Sequence, residues 1–214
     1  MNKLMGFLEL KEMCLPVIPW KQYTGQEELD DEYLWTIRSA IYRGNDLNLP
    51  RLVGENAEKA KKFADQLFLK MKEKGIVIYY PYFIAKKSGT LEVKQSQVII
   101  EAVREDLWNM VTYSEREVTI IKDELLNTTE SMGNDSFLTQ EEQNGLYKYV
   151  SEIRKIFRDD LLEGHSALLE WSYAQSCNKD REPVGEEYLV FYLSLIHISE
   201  PTRRVGISRM PSSA

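Results

Sequence analysis

Apolar positions recur along this chain with two different periods. From Glu55 to Lys74 the residues Ala57, Ala60, Ala64, Leu67, Phe68 and Met71 return at three- and four-residue steps, the spacing of one helix face. Gly75 follows where a C-cap glycine belongs. A second helix is predicted from about Thr139 to Glu163, with Leu146, Val150, Ile153, Phe157 and Leu161 as its stripe. Thr139 followed by Glu142 has the spacing of a capping box. Elsewhere β-branched and aromatic residues cluster in short runs that favour strands: Leu34–Ala40, Ile76–Ala85, Val98–Val103, Val118–Ile121, Ala167–Ala174 and Tyr188–Tyr192. Ser88-Gly89 can turn the chain back after the second of these.

The remaining stretches read as connections. A short helical piece, Leu4 to Met13, leads into a loop-rich segment with Pro16, Pro19 and Gly25. Gly44 to Gly54 is turn-rich, and Asn127 to Ser136 is polar and predicts a mobile loop. Strands punctuated by two long helices, with no internal repeat, indicate an α+β fold.

Charge and cysteine content narrow the function classes. The formal net charge is −7, which argues against non-specific nucleic-acid binding, because phosphate backbones need a basic surface. Cys14 and Cys177 have no metal-like spacing, and so few cysteines suit reduced thiols in the cytoplasm. No apolar run reaches membrane-span length, and Met1 to Leu10 lacks a signal-peptide core. A cytoplasmic protein with neither membrane nor nucleic-acid partner is expected.

No self-sufficient catalytic motif is present: the chain lacks a phosphate loop of the G-x-x-x-x-G-K type, G-x-G-x-x-G and H-E-x-x-H. His165 reads as a solvated helix-end residue that complements the helix dipole. What stands out is charge placed in apolar strands. Arg38 closes the first strong strand beside Ser39, with Arg43 and Arg51 nearby. Glu101 interrupts Ile99–Val103, and Glu170 interrupts Leu168–Trp171. A charge there is costly to bury unless it is paired or bound to a metal. Magnesium takes one or two carboxylates plus substrate phosphates, so these residues suit a nucleotide triphosphate with its metal. The alternative is that Glu101 and Glu170 face solvent on half-exposed strands, which periodicity favours. Likewise Tyr79, Tyr80 and Tyr82 either stack on a base or belong to the core.

The order of segments resembles the N-terminal, ATP-grasp-like nucleotide-binding domain of pyruvate phosphate dikinase and phosphoenolpyruvate synthase. Gly6–Leu10 and Leu15–Pro19 look like that family's opening segment and its "lPVPPGF" stretch. Thr36–Ala40 resembles "vRSSa", whose arginine contacts ATP phosphates, and Ser88–Leu91 resembles a serine-glycine turn flanking the nucleotide. Ile100–Leu107 is similar to the "GED-V" tract, and Leu169–Ala174 to "iEWa", whose glutamate is an ATP-metal ligand. The resemblance implies an ATP- and Mg²⁺-binding domain with nucleotide contacts from Arg38, Glu101, Glu105 and Glu170. Arg38 would hold the phosphates, and Glu170, with Glu105, the metal. Relatives pass a phosphoryl group to a phosphohistidine domain. The chain departs from the family at its glycine-lysine pair, for which Lys3 is the nearest candidate, and at Leu168 and Arg104, which replace an acid and a glycine. A non-catalytic interaction module of the same fold, and an ATP-grasp carboxylate ligase, are the alternatives.

Residues 193–214 stand apart. Leu193 to Arg203 resembles the translation of a transposase mosaic end joined to its primer site, and Ser208 to Ala214 resembles the flow-cell adapter that follows an index. A scar of this kind is excluded from fold reasoning. The expectation is a C-terminally truncated domain over residues 1–192, in one or two lobes, followed by a non-native tail that is disordered or arbitrarily placed. His197 is then no ligand candidate.

Overall fold

The run of β-branched and aromatic residues predicted as one strand, Ile76–Ala85, is divided between two sheets. In the computed structural model of the chain, which describes residues 10, 13–43, 49–107, 109–110 and 115–197, the strands are β1 (Lys21–Gln22), β2 (Trp35–Ile41), β3 (Arg51–Glu55), β4 (Gly75–Pro81), β5 (Phe83–Val93), β6 (Gln97–Arg104), β7 (Val118–Asp123), β8 (Thr128–Gly133), β9 (Ser166–Cys177) and β10 (Pro183–His197). A four-stranded sheet has the order β1-β4-β2-β3, and a six-stranded sheet β10-β9-β5-β6-β7-β8. All of these pairings are antiparallel. The break between β4 and β5 falls at Tyr82, whose N–H donates to the Leu34 carbonyl at 2.8 Å. This is the α+β class that the patterning indicates.

Helix α1 (Ala57–Met71) is capped by Asn56, whose side chain accepts from the Lys59 N–H. Its stripe of Ala57, Ala60, Ala64, Leu67 and Met71 is buried against Trp35, Ile37 and Val77 of the small sheet. The alanines let the helix approach closely. Gly75 is not its C-cap: Lys72 takes that position and Gly75 opens β4. A Cβ at Gly75 would run into the Ala40 carbonyl oxygen and the Ile41 Cα, so the glycine permits strand contact rather than a helix stop.

The second predicted helix is three: α2 (Gln140–Tyr147), α3 (Val150–Ile156) and α4 (Arg158–Leu162). The Thr139–Glu142 capping box is present. Leu146, Val150, Ile153, Phe157 and Leu161 are all buried on one face of the large sheet, with Leu91, Ile100, Leu169 and Trp171. The stripe survives the breaks because residue spacing sets which side is apolar, whether or not the backbone stays helical throughout.

Other connections prove to be strands. Arg51–Glu55 lies in the segment predicted as turns, and Thr128–Gly133 forms the outer strand of the large sheet where a mobile loop was expected. All six residues of β8 are exposed, so there was no buried face to leave an alternating pattern. Ser88-Gly89 is not a turn but the middle of β5. A Cβ on Gly89 would meet the Glu101 carbonyl and the Trp171 indole, so this glycine makes room for a tryptophan. The predicted helix at Leu4–Met13 falls almost wholly outside the described residues, as do Lys3, Gly6 and Gly44.

Candidate functional site

Alternation along β5, β6 and β9 separates two kinds of face. Thr90 is the register partner of both Glu101 and Glu170, so these three form one row across the strands. Ser88 is opposite Val103 and Ser172 and begins the next row. Leu91, Leu169 and Trp171 point the other way, under the helices. The two glutamates that interrupt apolar strands therefore stand on the face away from the helices, each partly exposed. Their placement agrees with the half-exposed alternative, and their partners distinguish them.

Glu101 is balanced locally. Its Oε1 accepts from Arg116 Nε at 2.5 Å, and Thr90 Oγ1 donates to Oε2 at 3.3 Å. Glu170 instead belongs to a cluster that crosses between the sheets. Arg38 lies in the middle of β2 rather than at its end, and its guanidinium donates a hydrogen bond to the Tyr80 phenol. The charge on Arg38 is held above its ordinary range by Tyr80, against the opposing effect of burial, with Glu170, Tyr192 and Asp106 adding to it. Burial pushes the Tyr192 phenol up, and the negative charge of Glu170 pushes it further. Burial also raises Tyr80, partly offset by Arg38. Both phenols are thus kept neutral, as donors or acceptors, at ordinary pH.

A chain of hydroxyls runs beneath this cluster. Ser172 Oγ donates to Tyr192 Oη at 3.4 Å and lies 2.7 Å from Ser88 Oγ. Ser88 Oγ donates to the Glu105 carbonyl at 2.5 Å. Glu105 has φ of +56°, a conformation uncommon outside glycine, and its N–H donates to the Lys86 carbonyl at 3.0 Å. Glu105 and Asp106 are both exposed, and Glu105 contributes its main-chain carbonyl to the chain of hydroxyls. The neighbouring Asp106 is the residue whose charge reaches Arg38, Tyr80 and Tyr192.

Of the four residues expected at a nucleotide site, Arg38 and Glu170 are brought into one cluster. Glu101 is on the same face in its own ion pair, and Glu105 supports the turn. Asp106, Ser172 and Tyr192 are members that the sequence did not single out, whereas Ser88 and Tyr80 were already read as possible neighbours of a nucleotide. A serine at position 172 inside an apolar strand was a legible signal; the Tyr192 phenol was not, because aromatic strand residues usually mean core. Tyr79 does pack beside the small-sheet core and Tyr80 lies between the sheets.

One other expectation changes. His165 is only partly solvated: its side chain is 22% exposed, with Asp160 and Glu163 oxygens at 3.8 and 3.9 Å and a buried Nδ1 that has no hydrogen-bond partner. It stands at the end of α4, with the acids of that turn. A cavity of about 410 Å³ opens along the seam of the sheets, lined by residues that include Ile18, Pro81, Tyr82, Phe83, Cys177 and Val190. Neither Arg38 nor Glu170 lines it.

Among the described residues no cluster of three or more His, Cys, Asp or Glu could hold a metal by itself, and no helix is long and apolar enough to cross a membrane. No family model matches the chain, and no curated protein matches it. Among solved structures, N5-carboxyaminoimidazole synthetase from Staphylococcus aureus, crystallised in complex with ADP, is similar at 14% identity and a TM-score of 0.45, over 89% of this chain and 43% of that one. This chain therefore spans less than half the length of that protein, and a likeness of this size assigns no residue and no ligand.

Proposed function

We propose that this chain is the ATP- and magnesium-binding domain of a phosphoenolpyruvate-synthase-like phosphotransferase. The observation that carries the reading is the meeting of Arg38, from the small sheet, with Glu170, from the large one, in a cluster whose two phenols stay neutral. The ordered resemblance of Thr36–Ala40 and Leu169–Ala174 to the family's tracts supports it. Arg38 would grip phosphate through its planar fork. Glu170 with Asp106 would supply the one or two carboxylates that magnesium uses when phosphates complete its shell; the donor set present fits that mode and not a full protein cage. Such sites work by positioning and charge neutralisation. A phosphohistidine domain, in the same or another chain, is the proposed acceptor partner.

The direct test is isothermal titration with ATP and Mg²⁺. Saturable binding that is lost in Arg38→Ala and Glu170→Gln is expected; no binding at millimolar ATP ends the reading. Release of ADP that depends on an added carboxylate would transfer the chain to the carboxylate ligases.

One observation favours a second reading, a non-catalytic interaction module. The seam cavity lies apart from Arg38 and Glu170, and Leu168 stands where relatives have an acid. In that case Glu170→Gln changes no turnover, because there is none. Residues 193–214 stay outside both readings as proposed foreign sequence. The backbone of β10 pairs with β9 as far as His197, after a register shift between Phe191 and Leu193. Main-chain pairing of this sort is open to almost any non-proline residue, so it does not bear on where the segment came from.

A further inference from the structure

Four strands end the two sheets, β1 and β3 in the small one, β8 and β10 in the large one. An end strand shows unpaired main-chain groups, and proteins blunt it by brevity, charge, bulges or a covering segment. β1 is two residues long. β3 breaks register against β2, and the Arg181 guanidinium donates to its Gly54 carbonyl at 3.1 Å. β10 shifts register against β9, and the N-terminal segment lies along it. There Phe191 N–H donates to the Pro16 carbonyl at 2.7 Å, and Ile18 N–H to the Phe191 carbonyl at 3.3 Å. β8 is different. It contains no proline and no basic residue, pairs with β7 without a shift, and has every residue exposed. Among the described residues no strand pairs with its outer side.

Asn134 N–H donates to the Glu117 carbonyl at 2.7 Å, continuing the register that sets Gly133 opposite Val118. Bonded pairs alternate along an antiparallel ladder, so Thr128, Glu130 and Met132 turn their main-chain groups to β7. Thr129, Ser131 and Gly133 turn theirs outward. Apolar side chains gather on the same hairpin: Leu125 is 81%, Leu126 72% and Met132 57% exposed. Asp123 Oδ1 accepts from the Leu125 and Leu126 N–H groups at 3.0 Å and so fixes the tip. Exposed apolar side chains grouped beside an open edge mark an interaction surface.

We propose that β8 pairs antiparallel with β8 of a second copy of this chain, joining two six-stranded sheets about a two-fold axis at Ser131. Only residues that project to the same side can face each other across such a pair. Charge and bonding then decide the register. Centring on Glu130 sets two glutamates opposite each other, which is destabilising. Centring on Met132 leaves Thr129 without a strand partner. Centring on Ser131 sets Glu130 against Met132 of the second copy and engages the outward groups of Thr129, Ser131 and Gly133 in both. A contact of this isologous kind closes on itself, so association stops at the dimer. Each copy has a formal net charge of −7, so the pair tightens as salt screens the repulsion.

The test is sedimentation equilibrium of the full chain over a range of concentrations, at low and raised salt, with an unfolding curve for each variant. A monomer–dimer equilibrium that strengthens with salt is expected. Ser131→Pro should give a folded monomer, because that N–H points away from β7. Met132→Glu alters an exposed side chain and should weaken the dimer about tenfold at low salt, since the axis repeats its clash with Glu130. Met132→Lys should tighten it. If Ser131→Pro does not fold, the two Met132 variants decide. A monomer at every concentration and salt overturns the proposal. So does a dimer that Met132→Glu and Met132→Lys leave equally tight, for its contact then lies on another surface or in another register.

Discussion

Strand β9 presents two unlike surfaces. On one side Leu169, Trp171 and Tyr173 are buried under α2, α3 and α4, with Leu146, Ile153 and Phe157 packed on them. On the other, Glu170 and Ser172 join a seam of charges and hydroxyls that reaches Arg38 in the other sheet. The two sides differ in what holds them. The helix-covered side depends on apolar area and tight fit, so its residues tolerate little change of volume. The seam depends on a few directional contacts, so its residues tolerate changes of size better than changes of charge or hydroxyl. Stability and chemistry are thus divided between alternate residues of one strand.

Substitutions can break this division, and the largest effect belongs to the covered side. Trp171→Ala should cost about 3–5 kcal/mol in chemical denaturation, the usual range for deleting a buried aromatic, because its indole fills the space that Gly89 leaves open. Gly89→Ala should also be severely destabilising, since its Cβ would meet backbone as well as the ring. On the seam, Ser88→Ala should cost about 2 kcal/mol, as the loss of two hydrogen bonds at about 1 kcal/mol each, one to the Glu105 carbonyl and one to Ser172 Oγ. A cost from Ser88→Ala as large as that of Trp171→Ala would erase the distinction.

Alkaline titration sharpens the comparison, because each side carries a phenol displaced upward. Burial comes first for both, with Glu142 adding for Tyr173 and Glu170 adding for Tyr192. The folded phenol keeps its proton where the unfolded one, at about pH 10, has lost it. Its contribution is therefore complete below about pH 10 and is lost as pH rises beyond that. Tyr192→Phe should flatten the fall in stability above about pH 10 by its own share alone, and leave the shares of Tyr80 and Tyr173. The smallest effect is expected from Glu101→Gln. It breaks a partly exposed ion pair with Arg116 and should cost less than about 1 kcal/mol, shrinking further in high salt.

How much of this was legible follows from what a periodic pattern reports. The stripes of α1 and of α2 to α4 were read correctly because residue spacing tells which side of an element is buried. The same logic failed at β8, where every side chain is exposed, and at Tyr82, where one apolar run feeds two sheets. Glu105 is expected at the site from a motif alone. Its main-chain carbonyl accepts from Ser88 Oγ, a contact between distant segments that a linear sequence does not announce.

By itself the sequence determined that Arg38, Glu101 and Glu170 are charges set into apolar strands, since alternation makes such residues conspicuous. It also determined the fold class, the capping box at Thr139 and the buried stripes, all consequences of contacts near in the chain. Only the tertiary structure decided that Arg38 and Glu170 share one cluster while Glu101 pairs with Arg116, and that Arg51 stands directly opposite Arg38. Those outcomes depend on the register between strands and on how two sheets meet. Register is set by the summed packing of whole elements, so no single residue in the sequence announces it.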